Sequence, residues 1–341
     1  MIDNDIKLDF SDVLIVPKPN ALVSRNDVNL EREFQFTNSG RIWTGIPIMV
    51  ANMDTTGTID MVRQLQDFHI LTCLHKFYEP EDIPIDELNP DYFAISCGTS
   101  EKELEKLGRM VEKVKPHFIC LDVANGYRHD VIEKIKHIRK IYPGITLIAG
   151  NVVTPEIVKE YYENGVDIVK MGIGSGSVCT TRLKTGVGYP QFSCIIDTKK
   201  EIPENCFIIS DGGIQTVGDF SKAYGAGADF VMAGGMFAGH DECSGETIEE
   251  NGTKYKIFYG MSSANAMNKH YGGVASYRSS EGKCVKLKYR GPVQQTVEDI
   301  LGGIRSTMTY VGAKQMNELH GKCSFIRVNN TVNRIYNNNE V

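Results

Sequence analysis

Short apolar runs rich in β-branched and aromatic residues recur along the chain: IPIMV at 46–50, ILTCL at 70–74, YFAIS at 92–96 and FICLDV at 118–123. TLIAG at 146–150, DIVKMG at 167–172, CFIISDGG at 206–213 and DFVMAGG at 229–235 continue the series. Bounded by turn residues, these read as eight strands. Most intervals run about 20 to 28 residues, room for one helix and two short loops. Helix signals fill them. Ser100 precedes Glu103 in capping-box spacing, and Leu104, Leu107, Val111 and Val114 then share one helical face. Asp130 opens a stretch with Ile132, Ile135 and Ile138, and Thr154 before Pro155 reads as an N-cap with proline at the first helical position. Strands this apolar need cover on both faces, which predicts an α/β fold, a closed (β/α)8 TIM barrel. A doubly wound open sheet usually shows GxGxxG after its first strand, whereas this one ends in ANMDTTG.

Two departures from the rhythm mark the loops after the strands, where barrels of this kind carry their chemistry. A loop over about 172–192 follows the sixth strand, with GIGSGSVCTTR and KTGVGYPQ, and a Gly-, Ser- and charge-rich insertion over about 236–290 follows the eighth. The insertion reads as a mobile lid. Residues 1–341 are therefore expected to form one barrel domain, with NRIYNNNEV as a loose tail.

Composition narrows the function. With 41% hydrophobic and 23% charged residues the chain can bury a sizeable core. A formal net charge of −6 without a Lys/Arg cluster argues against nucleic acid or an anionic membrane as partner. Nine cysteines, an odd number with no Cys-x-x-Cys pair, do not suit a disulfide framework. MIDNDIKLDF lacks the basic and apolar regions of a secretory leader, so the expected compartment is the cytoplasm.

Cys179 stands at the chemical end of a strand among Gly174, Ser175, Gly176 and Ser177, where it is either a nucleophile or a small buried hydrophobe. Cys73, Cys97, Cys120 and Cys206 lie in or beside strand runs and read as core. Asp211, Gly212 and Gly213 after the seventh strand, with Gly234 and Gly235 after the eighth, sit where barrels commonly cradle a phosphate; tight turns alone would use the same glycines. Asp211 would repel that phosphate and suits sugar hydroxyls better. Glu281 and Arg278 are the titratable groups of YRSSEGK, and a lone Glu in such a loop is usually a solvated charge. HExxH, GxSxG and Walker patterns are absent from the sequence.

GIGSGSVCTTR, ISDGG, VMAGGMFAGH, FYGMSS and YRSSEGK, in this order, resemble the IMP dehydrogenase and GMP reductase family. LDFSDVLIVP, VANMDTT, LHK, LDVANGY, AGNVVT and LGGIRSTMTYVGA extend the resemblance over nearly the whole chain. Within the family, dehydrogenases usually insert a regulatory domain after the second strand and activate water with an Arg-Tyr pair. Here LHKFYEPEDIPIDEL runs directly on and no Arg-Tyr dipeptide occurs, which favours the reductase branch. Oxidation of IMP to XMP with NAD, or a barrel that only binds purine nucleotides, are the alternatives.

The resemblance implies reductive deamination of GMP to IMP and ammonia with NADPH, with Cys179 attacking purine C2 and Thr181 and Glu281 delivering a proton. It places GMP or IMP on Asp211, Gly212, Gly213, Gly234, Gly235, Gly260, Met261, Ser262, Arg278, Ser280 and Gly282. It places the dinucleotide on Lys76, Asp122, Val123, Ala124, Ile173 and Gly174, with Ser24, Arg25, Ser306, Thr307, Met308 and Thr309 reaching it from a neighbouring subunit of a homotetramer. A potassium ion is implied at the carbonyls of Gly174, Gly176 and Cys179, with Arg182 beside them. A 2′-phosphate preference would also need an Arg near the dinucleotide. Relatives often carry proline where GIGSGS has Ser175, a change expected to loosen the loop.

Overall fold

The computed structural model describes residues 4–273 and 279–329. Two short strands, β1 (Val13–Ile15) and β2 (Arg32–Gln35), precede the eight barrel strands. These are β3 (Ile42–Val50), β4 (Ile70–Leu74), β5 (Phe93–Cys97), β6 (Phe118–Asp122), β7 (Thr146–Val152), β8 (Ile168–Met171), β9 (Phe207–Asp211) and β10 (Phe230–Ala233). Each pairs in parallel with the next, and β10 pairs with β3, so the sheet closes into the expected (β/α)8 barrel.

Alternation along each strand explains why the runs are apolar throughout. In β6, Phe118 and Cys120 point into the barrel while Ile119 and Leu121 meet the outer helices; β9 divides Phe207 and Ile209 from Ile208 in the same way. β2 folds back antiparallel on the first half of β3, which therefore begins four residues before the apolar run at 46–50. That hairpin plugs the floor. The Phe34 ring lies 4.4 Å from Phe230 and 5.2 Å from Phe207, with the Arg32 guanidinium 4.2 Å from the Phe34 centroid on the outer side.

Helices cover the barrel much as the periodicity predicts. They are α1 (Ile59–Leu65), α2 (Glu101–Val114), α3 (His129–Ile141), α4 (Pro155–Glu163), α5 (Thr181–Thr185), α6 (Gln191–Lys199) and α7 (Val217–Ala226). α2 has its Ser100–Glu103 capping box, and Ile132, Ile135 and Ile138 of α3 are buried. Pro155 opens α4, but the Thr154 hydroxyl makes no cap; it accepts a hydrogen bond from Tyr127. Between β4 and β5 the chain forms only a 3-10 turn, Pro80–Asp82, where Pro80, Pro84 and Pro90 interrupt any helix.

The insertion after β10 is more built than its composition suggests. β11 (Thr247–Glu250), β12 (Thr253–Tyr259) and β13 (Cys284–Lys288) form a three-stranded antiparallel sheet, and α8 (Ala264–Tyr271) lies between the last two. α9 (Gln294–Val311) then completes the outer ring, followed by α10 (Leu319–Lys322) and by β14 (Phe325–Arg327), which pairs with β1.

Candidate active site

The inward register that buries Phe118, Ile168 and Phe207 continues upward to Asp122, Lys170 and Asp211 at the C-terminal ends of β6, β8 and β9. A charged layer thus rests on an apolar one. Lys170, 3% exposed, donates to Asp122 Oδ1 at 2.6 Å, to Asp211 Oδ2 at 3.2 Å and to the Asn151 side-chain oxygen. Asn151, brought inward where the β7–β8 register shifts, donates in turn to Asp211 Oδ2 at 2.9 Å and to the Gly172 carbonyl at 2.7 Å. Burial would raise the pKa of Asp122, but the Lys170 ammonium outweighs it and holds the carboxylate below its ordinary range. The same two carboxylates keep Lys170 charged, raising its pKa against the effect of burial.

Above this layer opens a cavity of about 270 Å3, lined by Asp122, Lys170, Asp211, Ile173, Gly174, Cys179, Thr181, Met261 and Glu281 among others. Cys179 sits at its wall, half-buried. Its thiol lies 3.2 Å from the Thr181 hydroxyl, which donates to Glu281 Oε2 at 2.7 Å. Thiol, hydroxyl and carboxylate form one line of hydrogen bonds although the glutamate is far away in the chain. Main-chain pairing makes the meeting possible. Thr180 N–H donates to the Glu281 carbonyl at 2.8 Å, Lys283 N–H to Val178 at 2.9 Å, and Glu281 N–H to Ser262 at 3.0 Å. Gly282 fits where these segments cross, since a Cβ there would stand 2.9 Å from the Ser263 nitrogen. Glu281 is therefore no freely solvated charge.

Of the other cysteines, Cys73, Cys97, Cys120 and Cys206 are buried core residues. Burial raises the Cys97 thiol well above its ordinary range and Cys206 to about 12, which leaves both as poor nucleophiles.

A second cavity, about 330 Å3, continues from the first and shares Asp122, Val123, Ala124, Met261 and Ser262 with it. Lys76 and Arg128 bring positive charge to its lining, and Phe77 and Tyr271 bring aromatic faces. Lys76 donates to Glu103 at 2.6 Å and lies 5.9 Å from each of those two rings; burial would lower its pKa, yet Glu103 raises it. An anionic ligand with flat rings fits this lining.

The remaining residues named from the sequence divide. Gly260, Met261 and Ser262 line the first cavity, and Ser280 and Gly282 adjoin Ser262 and Ser263. Gly212 and Gly213 adopt φ of +84° and +79°, but the Gly213 N–H is spent on the Ser175 carbonyl at 2.9 Å and Gly212 donates to Met232. Gly234 and Gly235 are tightly approached by Met53 and Ser177. Arg182 forks onto Asp9 and donates to the Tyr189 carbonyl at 2.8 Å, which leaves only backbone at this position to offer a cation. Ser24, Arg25 and Ser306 to Thr309 line neither cavity; Ser24 caps a 3-10 turn and the others named lie on that turn or on α9. Arg278 lies outside the described residues. The Ser175 hydroxyl donates to the Asp211 carbonyl at 2.7 Å, a tether proline could not make.

Lys170 and Asn151 are not among the site residues expected from the sequence, although Asn151 lies in the AGNVVT stretch. The signal for Lys170 was present as a charged residue inside the apolar run DIVKMG, in step with the inward-facing Ile168.

A family model described as IMP dehydrogenase / GMP reductase domain matches residues 7–334. The chain belongs to the IMP dehydrogenase/GMP reductase family. It is 52% identical to GMP reductase 1 of Mus musculus and 52% to that of Homo sapiens, each over 98% of this chain and 99% of the relative. It is 51% identical to a GMP reductase of Escherichia coli, over 99% of both chains. Among the described residues of this family member, no helix is long and apolar enough to cross a membrane.

Proposed function

We propose that this chain catalyses the NADPH-dependent reduction of GMP to IMP with release of ammonia, through a covalent bond between Cys179 and purine C2. The line from Cys179 through Thr181 to Glu281 carries this reading, because its direction supplies the proton the reaction needs. As the sulfur attacks C2, the thiol proton passes by way of Thr181 to Glu281 and from there to the departing amino group, which leaves as ammonia. A thioimidate on Cys179 remains, and one hard substitution has become two easier steps. NADPH supplies hydride to C2, after which the thiolate leaves and IMP is released. Asp211, steadied by Lys170 and Asn151, receives ribose hydroxyls, while Lys76, Asp122 to Ala124 and Arg128 hold the dinucleotide in the adjoining cavity.

The carbonyls of Gly174, Gly176 and Cys179 offer the hard oxygen donors an alkali cation takes, and potassium on them would brace the Cys179 loop. A homotetramer brings Ser24, Arg25 and Ser306 to Thr309 of a neighbour to the dinucleotide, and the protein works in the cytoplasm. The test mixes protein, GMP and NADPH and follows reduced nicotinamide, ammonia and IMP together, with IMP and NAD in a parallel cuvette. Equal amounts of NADP+, ammonia and IMP are expected. NADH and XMP from the parallel cuvette alone would assign the chain to dehydrogenation instead.

A further inference from the structure

Asp54, in the loop after β3, is 2% exposed and stands outside the line of residues just described. Its neighbours come from the insertion after β10. One carboxylate oxygen, Oδ2, accepts from the Tyr259 hydroxyl of β12 at 2.8 Å, from Lys269 Nζ of α8 at 3.0 Å and from His270 Nε2 of α8 at 2.6 Å. The Asp54 carbonyl accepts from the Ser244 hydroxyl at 2.5 Å, and its N–H meets the Met261 sulfur at 3.4 Å. On the far side of His270 the Phe77 ring stacks at 3.5 Å between centroids, so α8 is gripped by the loops after both β3 and β4. Burial alone would raise the Asp54 pKa; the three donors prevail and lower it, keeping the anchor ionised.

From this anchor a continuous path leads to the reacting atoms. Ser263 caps α8 by accepting from Ala266 N–H at 3.2 Å, the adjacent Ser262 carbonyl holds Glu281 N–H, and Glu281 holds Thr181. We propose that Asp54 is a positioning residue for ammonia release: it fixes α8 to the barrel rim and so sets Glu281 against Thr181. This rests on the reaction proposed above, and concerns the proton-delivering half of it more than the hydride half. Cys179 rides on the loop after β8, which pairs with the Glu281 segment but is also held to β9 without α8, by the Ser175 hydroxyl on the Asp211 carbonyl and the Gly213 N–H on the Ser175 carbonyl.

The test compares two half-reactions of Asp54→Ala in the full-length protein. One is ammonia release from GMP; the other is NADPH formation from IMP and NADP+, in which the thiolate adds to C2 and hydride departs without any ammonia. Ammonia release should fall about 10- to 100-fold, part of what a well-placed proton donor supplies. NADPH formation should change less than about threefold, and Asp54→Ala added to Glu281→Gln should slow ammonia release no further, as expected of two residues acting as one unit. Equal loss in both half-reactions, or multiplied losses in the double variant, would overturn the proposal. If Asp54→Ala does not fold, Asp54→Asn, which keeps the volume but not the charge facing Lys269 and His270, carries the same comparison. Wild-type protein that releases no ammonia from GMP would instead refute the proposed reaction.

Discussion

The floor and the mouth of the barrel are built from the same strands in the same register, yet they solve opposite problems. At the floor, Phe34, Phe36, Trp43, Phe118, Phe207 and Phe230 pack into a closed aromatic plug in which every ring is buried. Further along β6, β8 and β9, the inward positions hold Asp122, Lys170 and Asp211, and the cover is an insertion from elsewhere in the chain rather than a plug. The floor is stabilised by apolar burial and has no chemistry to offer. The mouth keeps charges out of bulk water only by pairing them, and what is left unpaired or half-exposed, notably Cys179, is available to a ligand. Stability and reactivity are thus separated along the barrel axis, and they should be separable by mutation.

The largest effect is expected from Cys179→Ala, which should cut GMP turnover by roughly 10⁴-fold or more while leaving the thermal midpoint nearly unchanged. Phe34→Ala makes the reverse break. Emptying the plug should cost about 3–5 kcal/mol in denaturant titrations, with turnover per folded molecule close to wild type. Glu281→Gln keeps shape but loses the base, and ammonia release should fall by about 10²- to 10³-fold with stability intact. If Glu281→Gln lowered stability as much as activity, the mouth could not be treated apart from the fold.

A smaller effect sharpens the comparison through pH. Burial lowers the His75 pKa from its usual 6.5 to about 4, so the folded protein holds this imidazole neutral beside Tyr78, stacked 4.0 Å away. Between these values the unfolded chain binds the proton and the folded one does not, so stability must decline as pH falls from about 6.5 toward 4. Replacing His75 with Gln should remove about 2 kcal/mol of that decline, read as the difference between the two proteins' unfolding curves across the window. Curves that stay parallel would show that His75 is not buried as described.

The barrel itself was legible because its signals are local. Each apolar run, the Ser100–Glu103 box and Pro155 report on their own neighbourhood, and β3 to β10 formed where those runs lay. What stayed hidden depends on residues distant in the chain. TKYKIFY and CVKLK alternate polar and apolar as sheet strands do, but composition dominated the reading of an insertion whose strands pair only with one another. Residue type alone leaves Glu281 a solvated charge and only the family resemblance pairs it with Thr181, because the main-chain pairing that brings the two together is encoded by no local pattern. The floor hairpin was missed for the same reason: Phe34 and Phe36 acquire meaning only once the barrel closes above them. The Ser175 hydroxyl's bond to the Asp211 carbonyl of β9 is a further contact between distant residues that the residue type alone does not announce.

The bond between sulfur and purine can be observed by itself. Protein incubated with GMP, or with IMP and NADP+, would be quenched in acid, digested and examined by mass spectrometry. One purine nucleotide per chain, lacking the 2-amino group, is expected on the peptide that carries Cys179 and is expected to be absent from Cys179→Ser protein. Turnover of GMP by Cys179→Ser at an undiminished rate, or an unmodified Cys179 peptide while IMP accumulates, would contradict that bond.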